Sequence, residues 1–193
     1  MIDRRQFAAG FAALSVSAML PGRAAAELSE DGLHIQPFFM QTFLAMAEDR
    51  EEAEAAGKHF AVIFEQRGCP YCKEMHEVNF ARPEIADYVA ANFGIVQINL
   101  WGSREVTDFD GEAMEEKALA RKWNVNFTPT IVFFGKGGEP KEVIRMPGYF
   151  KPFHFVSMFE YVAEDRYGQE DFQRFLQARF DKLEAEGKKP DLW

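Results

Sequence analysis

Two sulfur atoms carry the chemistry open to this sequence. Cys69 and Cys72 are the only cysteines in 193 residues, and they stand three apart in Gly68-Cys69-Pro70-Tyr71-Cys72. The pair follows a run of β-branched and aromatic residues, Phe60-Ala61-Val62-Ile63-Phe64, which reads as a buried strand. Pro70 suits the first turn of a helix, because its φ is already fixed near the helical value and its missing N–H would have found no partner there. The spacing therefore puts Cys69 at the cap of a helix, with Cys72 facing it one turn further in.

A helix start offers unpaired N–H groups and the positive end of the dipole, both of which favour a thiolate over a thiol. Cysteines in such C-x-x-C sites titrate at about 3.5–7.5 instead of about 8.5. Cys69 is the expected nucleophile and Cys72 the resolving thiol that breaks a mixed disulfide. Pro70 and Tyr71 bring no cation, so thiolate stabilisation must come through backbone geometry. That predicts a moderate redox potential and not a strongly oxidising one.

Other uses of the pair are less well supported. His76, four residues after Cys72, could join the cysteines as a zinc ligand, but no second Cys or His pair stands at ligand spacing. Haem attachment needs C-x-x-C-H, and Lys73 follows Cys72. A structural bridge over so short a loop would constrain the unfolded chain weakly.

The elements around the pair follow from periodicity and punctuation. Residues 37–56 read as an amphipathic helix carrying Phe38, Phe39, Phe43, Leu44, Met46 and Ala47, ended by Gly57. Lys73 to Phe80 continues the helix begun at Pro70. Pro83 marks a break before a helix to Asn92. Gly94 to Leu100 reads as a second strand. Residues 101–111 read as a polar loop, whose three acids lack the offsets of a calcium-binding EF-hand. Glu112 to Trp123 reads as a helix. Ile131-Val132-Phe133-Phe134 is a third strand, Gly135-Lys136-Gly137-Gly138 a tight turn, and Glu139 to Met146 the returning strand of a hairpin. Two helices follow, over 152–167 and 170–186. Pro129, at the mouth of the third strand, cannot donate to a ladder; a cis peptide at Thr128-Pro129 is one explanation for it.

Residues 1–26 read as an export signal, to be removed near Ala26. Arg4-Arg5 is followed by 13 uncharged residues, Ala8 to Leu20, and then by Ala24-Ala25-Ala26, which give the charged, apolar and small-residue regions of a signal peptide. The paired arginines resemble the twin-arginine type. The apolar stretch is shorter than the ~20 residues needed to span a bilayer. Without the three arginines and one aspartate of this leader, 19 basic side chains face 30 acidic ones, a formal charge of −11. That balance argues against nucleic acid and anionic membrane surfaces as partners. Residues 27–193 read as one domain, with a helical extension from about 168.

The order strand, C-x-x-C, helix, strand, helix, Thr-Pro, strand, turn, strand, helix resembles the thioredoxin fold over roughly residues 38–165. More narrowly, the leader, Gly68-Cys69-Pro70-Tyr71-Cys72-Lys73-Glu74-Met75-His76, and Ile98-Asn99-Leu100-Trp101-Gly102-Ser103 before Phe127-Thr128-Pro129-Thr130 resemble periplasmic thioredoxins of the SoxW type, associated with bacterial sulfur oxidation. The resemblance implies an α/β fold with a central mixed sheet of about four strands flanked by helices, here with an extra C-terminal helix. It also implies a redox-active Cys69–Cys72 disulfide with no other cofactor and no metal, and a cis Pro129, preceded by Thr128, pairing its loop with the substrate.

The sequence departs from that pattern in two places. The buried acid that thioredoxins carry six residues before the first cysteine is Ile63 here. Glu65 lies two residues on, on the same face by strand alternation, and can either replace that acid or point to solvent at the strand end. The tryptophan usual before the first cysteine is Gly68. C-P-Y-C is also the dithiol glutaredoxin sequence, but the Gly-Gly pair that follows the proline-loop hairpin in glutaredoxins is missing. The expectation is a periplasmic, monomeric thiol-disulfide oxidoreductase that reduces disulfides or cysteine adducts of client proteins and is re-reduced by a membrane thiol donor. An oxidase introducing disulfides and a non-catalytic peptide-binding module are the alternatives.

Overall fold

In the computed structural model, which describes residues 27–188, the apolar run at 60–64 is the middle of a seven-residue strand buried along its whole length. The leader at 1–26 and the C-terminal residues 189–193 lie outside the described residues. In chain order the elements are a short antiparallel ribbon of β1 (Glu27–Leu28) and β2 (His34–Ile35), then α1 (Met46–Ala55), β3 (His59–Glu65) and α2 (Pro70–Glu74). The α2 helix widens into a π-helical turn at Met75–Asn79. Next come α3 (Pro83–Asn92), β4 (Phe93–Asn99), β5 (Glu105–Thr107), β6 (Ala113–Glu115) and α4 (Glu116–Lys122). The chain then forms β7 (Thr130–Phe134), β8 (Glu142–Pro147), α5 (Pro152–Ala163) and α6 (Phe172–Ala185).

The main sheet runs β4-β3-β7-β8, with β3 parallel to β4 and antiparallel to β7, and β7 antiparallel to β8. This is the four-strand mixed sheet of a thioredoxin fold. Alternation along the strands divides the core in two. Ala61, Ile63, Ile95, Ile131 and Phe133 face Phe80, α3 and α5. Phe60, Val62, Phe64, Val96, Val132 and Phe134 face α1 and α4. The α6 helix starts at Asp171, whose carboxylate accepts the Arg174 N–H at 2.9 Å. It packs on α5 by setting Phe175 against Tyr161, ring centroids 5.4 Å apart.

The structure corrects three sequence expectations. Only Met46–Ala55 of the stretch 37–56 is helical. The preceding segment is extended along the outer edge of β4, with Phe39 bridged to Ile95 and the Met40 N–H donating to the Ile95 carbonyl at 2.9 Å. An edge strand leaves unpaired backbone groups, and Phe39 can join the core from an extended chain as well as from a helix. The loop 101–111 contains β5, which pairs with β6, so the helix expected from Glu112 begins only at Glu116. Two of its three acids meet a cation of the chain itself: the Lys122 ammonium lies 2.7 Å from Asp108 and 2.6 Å from Asp110, and 3.0 Å from Glu112 just beyond the loop. The last strand, β8, begins at Glu142 instead of Glu139.

Two histidines couple this packing to pH. His59, at the start of β3, is buried against Phe93 and its Nδ1 has no hydrogen-bond partner. Burial, reinforced by Lys136, holds its pKa below the ordinary value. Burial also lowers that of His34, with His76 adding to it. Both groups have folded pKa values below their unfolded ones, so below about 6.5 the unfolded chain takes up protons that the native chain refuses. Stability contributed this way is complete above that pH and is lost as pH falls. The urea midpoint is expected to be lower at pH 5.5 than at pH 7.5; equal midpoints would show that these imidazoles do not resist protonation.

Candidate functional site

The C-terminal ends of β3, β4 and β8 and the N-terminal end of β7 meet at one edge of the sheet. Cys69 leaves that edge as the N-cap of α2, with extended backbone at φ −75° and ψ 112° and Pro70 as the first helical residue. Gly68, just before it, has φ +71°, a conformation that L side chains adopt only at a steric cost. Tryptophan is therefore disfavoured at this position. Nothing stands within 4 Å of where a Gly68 Cβ would be, so backbone conformation and not crowding favours glycine here.

Cys69 and Cys72 form a disulfide with Cα atoms 5.2 Å apart. The pair is asymmetric. Both residues are buried, Cys69 at 4 % and Cys72 at 1 % exposure, and they differ in their hydrogen bonds. The Cys69 sulfur accepts the Cys72 N–H at 3.0 Å and the Thr128 hydroxyl at 3.3 Å. Both donors would favour a thiolate there over a thiol. Thr128 arrives through a cis peptide to Pro129, and the Pro129 carbonyl accepts the Gly148 N–H at 2.7 Å, tying this loop to the end of β8.

Three exposed aromatic residues stand on the segments next to the disulfide. Tyr71 lies between the cysteines and is 59 % exposed; Phe127, beside Thr128, is 54 % exposed; Trp101, two residues beyond the end of β4, is 70 % exposed. The Trp101 indole N–H donates to the Gln66 side-chain carbonyl at 2.7 Å, and the Gln66 backbone carbonyl in turn accepts the Cys69 N–H at 3.3 Å. An indole thus stands beside the cysteine loop although residue 68 is glycine.

Glu65 is buried, at 1 % exposure. One carboxylate oxygen lies 2.9 Å from His76 Nε2, and the other accepts from the Gln97 amide. Its orientation follows from the alternation that puts Ile63 in the core beneath α2. The sequence offers His76 as a zinc ligand and as the end of the motif that begins at Gly68, and gives Gln97 no role. The signals were present: His76 stands one turn after Cys72, and Gln97 interrupts an apolar strand at the position registered with Ile63.

Fold and site together define a thioredoxin-fold protein with a disulfide-forming cysteine pair at the start of a helix. The chain belongs to the thioredoxin-like domain family, whose model matches residues 46–163. Among solved structures it is similar to a thioredoxin-fold protein from Helicobacter pylori, at 24 % identity over 65 % of this chain and 81 % of that one, with a TM-score of 0.51. A thioredoxin from Thermus thermophilus shares 28 % identity over 61 % of this chain and 83 % of its own, with a TM-score of 0.49. The oxidoreductase DsbH shares 16 % identity over 79 % of this chain and 95 % of its own, with a TM-score of 0.45. No curated protein sequence matches the chain.

Proposed function

We propose that this protein is an exported thiol-disulfide oxidoreductase that reduces disulfides or cysteine adducts of other proteins, as a monomer without a metal or organic cofactor. The observation that carries the reading is the position of the Cys69 sulfur at the start of α2, with the Cys72 N–H and the Thr128 hydroxyl both donating to it. The Cys69 thiolate attacks a client disulfide, forms a mixed disulfide and releases one client thiolate. Cys72, deprotonated, then attacks the Cys69 sulfur and releases the second client thiolate. Two electrons pass to the client, and a two-electron thiol donor at the membrane restores the dithiol. Pro70 fixes the helix start. The Thr128-Pro129 loop and Tyr71, together with Trp101 and Phe127, offer backbone and apolar surface to a client segment.

Export to the periplasm rests on Arg4-Arg5, the uncharged stretch from Ala8 and the alanines before Glu27. Among the described residues no helix is long and apolar enough to cross a membrane. A SoxW-type role in sulfur oxidation rests on the C-P-Y-C and Phe-Thr-Pro-Thr motifs.

Replacing Cys72 with Ala tests the exchange. The reduced variant, mixed with insulin as a disulfide probe, is expected to accumulate an adduct through Cys69 that resists non-reducing electrophoresis and dissolves in dithiothreitol. A peptide-binding module would form none. The direction of flow is read from the potential against glutathione buffers: a value near about −270 mV supports a reductase, and one near about −120 mV an oxidase.

A further inference from the structure

Among the described residues five large apolar side chains are exposed, and three of them, Tyr71, Trp101 and Phe127, stand on segments next to the disulfide. Single exposed apolar residues are ordinary on a protein surface; a majority of them gathered at one edge of one sheet is not. The strand order β4-β3-β7-β8 explains where they stand. Cys69 follows the central strand β3, Trp101 follows its neighbour β4, and Phe127 precedes its other neighbour β7. The cysteine loop therefore lies between the segment that carries the indole and the segment that carries Phe127.

Trp101 is also held in place. Besides the bond from its indole to Gln66, its backbone N–H donates to Asn99 Oδ1 at 3.1 Å, and the Leu100 N–H continues the ladder to the Glu65 carbonyl at 2.8 Å. The loop closes on Glu116, 1 % exposed, whose carboxylate accepts the backbone N–H groups of Asn99 at 2.8 Å and Arg104 at 3.3 Å. Gly102 lies so close to that carboxylate that a Cβ would stand 1.9 Å from Oε2. A buried acid thus shapes a loop that displays a fixed, 70 % exposed indole. A ring fixed before binding loses little entropy when a partner covers it.

We infer that Trp101 determines specificity: its indole covers a large apolar side chain close to the client cysteine, and so selects polypeptide disulfides in apolar surroundings over disulfides with polar flanks. The inference rests on the exchange reading above and names the substrate class of that site. A polypeptide cysteine brought to Cys69 carries chain on both sides of it. Neighbouring strands lie ~4.8 Å apart and an extended chain advances ~3.3 Å per residue, so the side chain that reaches the indole is roughly one or two residues from that cysteine. An indole face takes apolar or cationic groups. The charged side chains on residues 66–69 and 99–104 are Arg67 and Arg104, both cations, and like charge disfavours a lysine or arginine of the client there. The electrons still pass between sulfurs alone; the indole makes and breaks no bond.

The test is single-turnover reduction, by the reduced protein, of three peptide disulfides that differ only in the residues on both sides of the cysteine: phenylalanine, serine or lysine. The wild-type chain is expected to reduce the phenylalanine peptide at least about tenfold more efficiently than the other two, with the difference lying in the concentration for half-maximal rate. Trp101→Ala is expected to bring the phenylalanine peptide down to the level of the serine peptide, whose reduction it leaves unchanged, and Trp101→Phe to keep most of the preference. The indole is exposed, so the urea midpoint of Trp101→Ala should match that of the wild type. An equal loss on all three peptides would overturn the proposal, because the indole would then only brace the cysteine loop through Gln66. So would a preference that survives Trp101→Ala, or a wild-type chain that reduces the serine or lysine peptide as efficiently as the phenylalanine one. The exchange reading fails separately, if Cys72→Ala traps no adduct with insulin or with any of the peptides.

Discussion

Cys69→Ser is expected to lose insulin reduction by at least about a thousandfold, leaving the rate of dithiothreitol alone, since a nucleophile acting as part of a unit is not replaced by its neighbours. A serine hydroxyl stays protonated at neutral pH, so the Cys72 N–H and the Thr128 hydroxyl have no anion to stabilise. Cys72 cannot take over the attack. It is 1 % exposed and lies one turn inside the helix. Cys72→Ser should behave differently, because it keeps the first step and stops at the adduct. The pair of variants therefore separates the two sulfurs by role: no adduct in the first, a stalled adduct in the second. Turnover by Cys69→Ser above about a tenth of wild type would mean that the nucleophile has been assigned to the wrong sulfur.

The largest expected loss of stability lies at Phe159, in the middle of α5. Its ring meets Phe93, Phe133 and Phe155 at centroid distances of 4.9, 5.0 and 5.0 Å, and it has no accessible surface. Phe159→Ala is expected to cost about 3–5 kcal/mol, for the lost transfer energy and the cavity left behind. For a chain of this length that lowers the unfolding temperature by roughly 6–20 °C. The neighbours come from β4, β7 and α5 itself, so they cannot close on the gap without bending the sheet. A cost below about 1 kcal/mol, measured by urea unfolding, would show that the cluster relaxes and that packing here is looser than the ring distances indicate. The variant should retain the Cys69 adduct chemistry at temperatures where it stays folded, because α2 is anchored to the sheet by Met75 and Phe80 and not by Phe159 alone.

The sequence by itself determined where a thiol could act and which strands would be buried. Cys69 and Cys72 differ in position because one caps a helix and the other lies inside it, which follows from Pro70 and a spacing of three. β3, β4 and β7 were legible because strands buried on both faces read as continuous apolar runs. The segment before Met46 was not legible: an apolar spacing that fits a helix also fits an extended chain, and the open edge of β4 decided between them by offering the Ile95 carbonyl to the Met40 N–H. The role of the loop acids Asp108 and Asp110 was not legible either, because their counterion is Lys122, brought back by the β5–β6 pairing and α4. Only the tertiary structure put Glu65, His76, Gln97 and Gln36 together. They come from four separate segments, and the hydrogen bonds among them depend on strand register and helix docking, quantities that no local pattern of residues encodes.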